Sequence, residues 1–320
     1  MKLMEIYRLG VETGMAKDPR GRSGVEKELA KAKRAYEKLD ETEKSFFDTD
    51  SLWNPYADSR LLVGDPEREV RRILVGVDID AGEMMLTEAL AQRGKPIDAV
   101  FAHHPQGRAR ARLCDVMYLQ PGAMANYGVL KNISEALMDE RAREVEISTG
   151  VSNYNRTADA AKLLDCALFC LHTPCDNMAN AFVGELMEQE QPETLDDVCK
   201  LLRSIPEYAS AARDGNPPSI VSGTPGRSAG KVFVDFTGGT GGPKEYARLL
   251  SDAGVSTVIC MHMRQEALGM AREAKLNVVI AGHMPSDSIG INLVLDQLEA
   301  RGVDIVPCSG LIRVSRLGRA

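Results

Sequence analysis

From residue 71 onward, short β-branched runs alternate with amphipathic stretches of about a dozen residues. RRILVGVDID reads as a strand ending in Asp78 and Asp80, AGEMMLTEALAQRG as a helix closed by Gly94, and IDAVFAHHP as a second strand. Strand, helix, strand at this length predicts a right-handed parallel crossover. A basic segment over 106–129 then leads to a helix predicted from about 130 to 144, and the helix TADAAKLLD feeds the strand CALFCLH, which stops at Thr173 and Pro174. The acidic stretch MEQEQPETL reads as a linker, and TLDDVCKLLRSI opens with a Thr194 N-cap and an acidic first turn. The theme then repeats, as KVFVDFTGG, a glycine turn, PKEYARLLSDAG, STVICMH, RQEALGMAREAK, LNVVIAGH, SDSIGINLVLDQLEARG and VDIVPCS. Before residue 60 the pattern is helical. A short helix is predicted over 2–9, a Pro/Gly-rich break over 18–24, and one charged helix over 25–47 whose Leu29, Ala32, Tyr36 and Leu39 make a narrow apolar stripe. That helix is read as a solvated surface element, or as a lid or oligomer contact.

The expected class is therefore α/β, with an N-terminal helical arm over 1–60, a first lobe over 61–189 and a second over 190–320. RILVGVDIDAGEM and KVFVDFTGGTGGP both place an aspartate in or after an apolar strand and then begin a helix, which predicts two related lobes. The 320 residues are 44% hydrophobic and 27% charged, so the chain can bury a core and is neither disordered nor fibrous. The apolar runs around 166–171 and 277–281 are far short of the roughly 20 residues of a membrane helix, so no membrane partner is expected. Charges at Lys2, Glu5 and Arg8 interrupt what would have to be a signal core, which places the protein in the cytoplasm as an expectation. A net charge of −7 without a Lys/Arg run argues against nucleic acid as a partner. Seven cysteines are an odd number without the spacing of a stapled domain, and are expected to be reduced.

The candidate chemistry lies in the histidines. All five follow apolar strand-like runs: His103 and His104 after DAVFA, His172 after ALFCL, His262 after TVICM and His283 after VVIAG. Carboxyl ends of parallel strands line the ligand crevice of α/β sheets, so these residues can meet in one place. Pro105 ends its strand directly after His103 and His104, which frees both rings to face one cavity. Asp176 lies four residues after His172, and Asp287 four after His283, where side chains share a helix face. Imidazoles with carboxylates suit Zn²⁺, Mn²⁺ or Fe²⁺ better than Ca²⁺ or Mg²⁺. The turn GGTGG precedes a helix but lacks the Lys-Ser/Thr ending of a P-loop, so a plain tight turn is favoured over a phosphate site. Cys166, Cys170 and Cys175 form a C-x3-C-x4-C run; the first two fall on one face of a strand among core residues, and Cys175 adjoins Asp176.

LLVGDP at 61–66, the strand RRILVGVDID, AHHP at 102–105, LHTPCD at 171–176, and AGH with an acid four residues on resemble the Nif-three-like family, also called the GTP cyclohydrolase I type 2 homologues. The resemblance implies two intertwined α/β/α lobes, a hexameric ring built from three dimers, and a two-metal site between the lobes. It carries over His103, His104, Asp176, His283 and Asp287 as ligands of two divalent ions. The family's last ligand is a bridging glutamate, and Asp287 is one methylene shorter. The family's WDN segment is replaced by WNPYADSR, and His262 stands near where a TG(D/E) acid would fall. The implied activity is a metal-dependent hydrolase acting on a small-molecule substrate such as a nucleotide, with His172 and His262 as proton-transfer candidates. The alternative is a non-enzymatic metal-binding, metal-delivery or protein-interaction ring. The stretch over 106–159 is longer than in compact members, so access to the site is expected to be remodelled.

Overall fold

The computed structural model describes residues 1–318. The first half runs α1 (Leu3–Ala16), α2 (Gly21–Glu37), α3 (Glu41–Phe46), β1 (Leu61–Val63), β2 (Arg72–Gly76), α4 (Ala81–Gln92) and β3 (Ala99–Ala102). Next come α5 (Gly107–Ala111), α6 (Leu113–Val116), α7 (Leu119–Ala125), α8 (Lys131–Gly150), α9 (Arg156–Leu163), β4 (Ala167–Cys170) and α10 (Thr173–Glu190). The second half runs α11 (Leu195–Ser204), α12 (Pro206–Arg213), β5 (Ser219–Ser222), β6 (Val232–Asp235), α13 (Tyr246–Asp252), β7 (Thr257–Cys260), α14 (Gln265–Glu273), β8 (Asn277–Ile280), α15 (His283–Glu299) and β9 (Asp304–Cys308).

These strands form two sheets of matching order, β1-β4-β3-β2-β9 and β5-β8-β7-β6. Four parallel strands (β4, β3, β2, β9) in the first and three (β8, β7, β6) in the second are flanked by one short antiparallel strand, β1 on β4 and β5 on β8. The parallel strands are covered on both faces, which is why β3, β4 and β7 are apolar and buried throughout. Ile73, Val75, Phe101 and Phe169 face a core shared with α1 and the far end of α15, and Leu74, Val100 and Leu168 face α4 and α9. In the second sheet Phe233, Val258 and Val278 pack under α8, α13 and α14, while Val234, Ile259 and Val279 pack against α10, α11 and α12. Helices α10 and α15 thus lie between the two sheets and contribute to the cores of both.

Several elements differ from the sequence expectation. The first helix runs to Ala16 rather than ending near residue 9, and its Leu3, Ile6, Tyr7 and Val11 are fully buried, so this part of 1–60 is core rather than arm. The helix expected over 25–47 is two helices, because Asp40 accepts from Glu43 N in a capping box and starts a new one. Helix α8 extends beyond residue 144 to Gly150. Strands β1 and β5 were not expected as strands, being three and four residues long and without an alternating pattern. Strand β9 leaves the 190–320 segment to pair in parallel with β2, from Arg72 opposite Asp304 to Gly76 opposite Cys308. Among the described residues no helix is long and apolar enough to cross a membrane.

Residues 106–159, expected to remodel access to the site, form a packed layer on the second sheet. Met117, Met124, Met138 and Val145 of this stretch pack onto the second sheet beside Phe233 and Leu250, so the first half of the chain supplies one covering layer of the second lobe. Gln120 fixes that layer by donating to Gly238 O (2.9 Å) and Thr240 O (2.6 Å). Arg141 and Arg264 donate to Gly241 O and Gly242 O. The glycine turn over 238–242 therefore turns carbonyls toward cationic and amide donors, the opposite polarity to an anion cradle.

Candidate metal centre

Corresponding strand ends of the two lobes meet at one place. His103 and His104 follow β3, and by sheet register Ala99 and Thr257 are equivalent, which makes His262 after β7 the counterpart of His104. His172 begins the turn into α10 with Asp176 in its first turn; His283 begins α15 with Asp287 one turn on. Gly282, at φ 106°, makes the backbone turn that aims His283 inward, a conformation costly for any residue with a Cβ. Helices α10 and α15 approach so closely that a Cβ on Gly290 would lie 2.0 Å from Cys175 O. That contact brings the two aspartates together.

Asp287 turns one oxygen to each side of the cluster. Its Oδ1 is 3.6 Å from His103 Nε2, while its Oδ2 is 3.5 Å from His104 Nε2 and 3.3 Å from His283 Nε2. Asp176 Oδ1 lies 3.4 Å from His103 Nε2, and its Oδ2 lies 3.7 Å from His172 Nε2. Ligand atoms within 4.8 Å of one another form three groups: His103, His104 and His172; His104, His283 and Asp287; His103, Asp176 and Asp287. The shorter side chain at 287 is therefore no obstacle to facing both groups, because α15 stands so close to α10.

The hydrogen bonds behind the rings leave Nε2 of three histidines turned inward. His103 Nδ1 donates to Leu171 O (3.2 Å), His104 Nδ1 to Asp78 Oδ1 (2.6 Å) and His172 Nδ1 to Asp58 Oδ2 (2.8 Å). Asp58 also accepts from Thr173 Oγ1 (2.6 Å) and Ser59 Oγ (3.1 Å). Such orienting partners are the usual surroundings of metal-binding imidazoles. Sequence reasoning missed Asp58 altogether and noted Asp78 only as a strand end; the segment WNPYADSR, singled out as a departure, contains Asp58.

The buried atoms His103 Nε2, Asp176 Oδ1, Asp287 Oδ1 and Asp287 Oδ2 have no hydrogen-bond partner. Buried polar atoms rarely stay unpaired, and four that converge on one cavity fit a cation. The cluster's electrostatics agree. Burial opposes a charge on His103, but the Asp287 and Asp176 carboxylates outweigh it and raise its pKa well above the ordinary imidazole range. Burial likewise opposes ionisation of Asp287, and His103 and the other imidazoles pull its carboxyl far below the usual range. Burial keeps the His283 pKa low. For His172 the neighbouring Asp176 and Asp58 overcome burial and raise it.

A pocket of about 60 Å³ opens on the cluster, with His262 and Thr237 at its rim and Asp176, His283 and Asp287 within. The His262 ring stacks edge-on to His283 at 5.0 Å. All five histidines therefore gather at one site. The three cysteines of the C-x3-C-x4-C run do not: Cys166 and Cys170 sit in the outer core of the first sheet and Cys175 in its inner core, with its thiol against His103. Burial pushes the Cys175 thiol up, so it stays protonated beside the aspartates.

No protein-family model and no curated protein matches this chain. Solved structures do. The chain is similar to a NIF3 superfamily protein from Sphaerobacter thermophilus at 29% identity and a TM-score of 0.71, over 80% of this chain and 92% of that one. It also shares the fold of reduced HcgD from Methanocaldococcus jannaschii, at 15% identity and a TM-score of 0.50, over 77% and 87% of the two chains. The first likeness covers most of both chains and supports placing this chain with the NIF3 superfamily.

Proposed function

We propose that His103, His104, Asp176, His283 and Asp287 hold two divalent ions and that the protein is a metal-dependent hydrolase. The observation that carries this reading is the convergence of four buried, unpartnered ligand atoms from both lobes. A nitrogen-rich set with two carboxylates suits Zn²⁺, Mn²⁺ or Fe²⁺. When bound, such ions supply a water of lowered pKa and a Lewis acid for the substrate. The chain's own residues then orient and move protons. Asp78 holds the His104 ring, and Asp58 holds His172 with Nε2 turned to the pocket. The raised pKa of His172 suits it to donate a proton from Nε2 to a leaving group. His262, exposed at the rim, is placed to relay protons to solvent. The small mouth favours a compact reacting group, and a nucleotide-like small molecule is the first substrate class to screen. Following the resemblance, the assembly proposed is a hexameric ring.

Metal analysis by mass spectrometry of untagged protein tests this directly. About two ions per chain are expected for the wild type, with loss in both His104→Ala and Asp287→Asn. No uptake on titration with Zn²⁺, Mn²⁺ or Fe²⁺ would overturn the reading.

A further inference from the structure

The two sheets differ at one edge. In the first, β9 follows α15 and covers β2; in the second, among the described residues β6 pairs with β7 alone, the nearest further pairing being the bridge of Thr194 with Ser228 before β6 begins. The equivalence is residue by residue. Ile73 lies opposite Ala99 on β3 and Val232 opposite Thr257 on β7, so Gly76 corresponds to Asp235. The covering strand passes so near Gly76 that a Cβ there would lie 3.1 Å from Ser309 Cβ. Helix α10, which corresponds to α15, ends at Glu190; the chain then turns through Gln191 in the left-handed region and leaves for the Thr194 cap of α11 instead of forming a strand.

Where that strand would lie there is a cavity of about 930 Å³, walled by Val232 to Asp235 on one side and by Gly184, Met187 and Glu188 of α10 on the other. Bare strand edges are templates for pairing and are normally covered or charged. Here α7 and α10 flank the edge, so another whole sheet is excluded and a single strand is admitted. Four residues of β6 give about 13 Å of ladder at ~3.3 Å per residue. Glu188, Glu193 and Asp235 line the cavity against one cation, Lys231, which is already bound to Tyr127 O (3.0 Å). Asp235 and Thr237 line the metal pocket as well, so the far end of the channel reaches the rim of the catalytic cluster.

We propose that the open edge of β6 is a peptide-binding site, in which an extended segment with basic side chains adds to β6 in parallel, in the place that β9 fills in the first sheet. Main-chain hydrogen bonds give affinity in such strand addition, and alternate side chains give selectivity. The site is independent of the metal reading, and binding is expected with or without chelator.

The test uses blocked hexapeptides alternating valine with lysine, serine or glutamate, titrated calorimetrically into the full chain, with hydrogen exchange read at residues 232–235. The lysine peptide should bind at least tenfold more tightly than the glutamate peptide and slow exchange in β6. Gly184→Phe, at a position where a Cβ meets nothing within 4 Å, should fill the cavity and abolish binding while leaving metal content unchanged. Glu188→Lys should reverse the order of the lysine and glutamate peptides. The proposal is overturned if none of the three peptides binds, if binding leaves β6 exchange unaltered, or if Gly184→Phe binds as the wild type does.

Discussion

Arg60 is 1% exposed and holds Asp48 at 2.7 Å while donating to the carbonyls of Tyr56 and Ser59. It thereby fixes the loop that presents Asp58 to His172. Arg60→Ala removes the hydrogen-bonded partner of Asp48, leaving it only Arg108 Nη1 at 3.7 Å, and should cost up to about 3–5 kcal/mol in urea denaturation, since losing one partner of a buried pair strands much of the other's charge. Asp235 has the reverse character: burial pushes its carboxyl up to about 6, from an ordinary 3.8. Between those values the unfolded chain releases the proton first, so Asp235 lowers stability as pH rises. Asp235→Asn should then gain about 1–3 kcal/mol over the wild type at neutral pH and nothing near pH 3, in melts followed across that range. At this scale the histidines were legible, because each follows an apolar run. Asp58 and Asp78 were not, because a carboxylate in a connecting loop leaves no periodic trace.

Helices α10 and α15 carry the site between them, and their approach depends on Gly290. Gly290→Ala forces a methyl against Cys175 O and should cost about 1–3 kcal/mol or more, with the two aspartates driven apart and metal uptake reduced in the same variant. Parallel strands announced themselves as unbroken apolar runs because both of their faces are covered. Strands β1 and β5 sit at sheet edges, too short to show a period. The break between α2 and α3 was marked by Asp40 and Glu43, a capping box inside a stretch whose apolar stripe hid it.

Across the whole molecule, the proposed ligands come from both lobes, so ion binding should couple to the fold as a unit. Adding ions at a hundred times their dissociation constant should stabilise the protein by about 2.7 kcal/mol for each ion bound, seen as a rise in melting temperature that chelator reverses. His104→Ala should not show that rise. The resemblance of the two lobes was visible in the repeated strand and helix motifs. Their interlocking was not, because neither the passage of β9 to the first sheet nor the covering of the second sheet by residues 106–159 leaves any local sign in the residues concerned.

The closure of the first sheet by β9 also sets an order of events during synthesis. Arg72 and Asp304 are 232 residues apart in the chain. At ~5–20 residues per second the ribosome needs roughly 10–50 s to deliver the partner of β2 after β2 itself has emerged. Throughout that interval a nascent chain presents the bare, apolar edge of β2 to its neighbours on the same messenger, and α15, with two of the five proposed metal ligands, has yet to arrive. The first lobe is thus born incomplete. A ribosome that stalls before β9 would release a product whose first sheet ends on the apolar, normally buried β2 instead of the half-exposed β9, the species with most reason to need a chaperone.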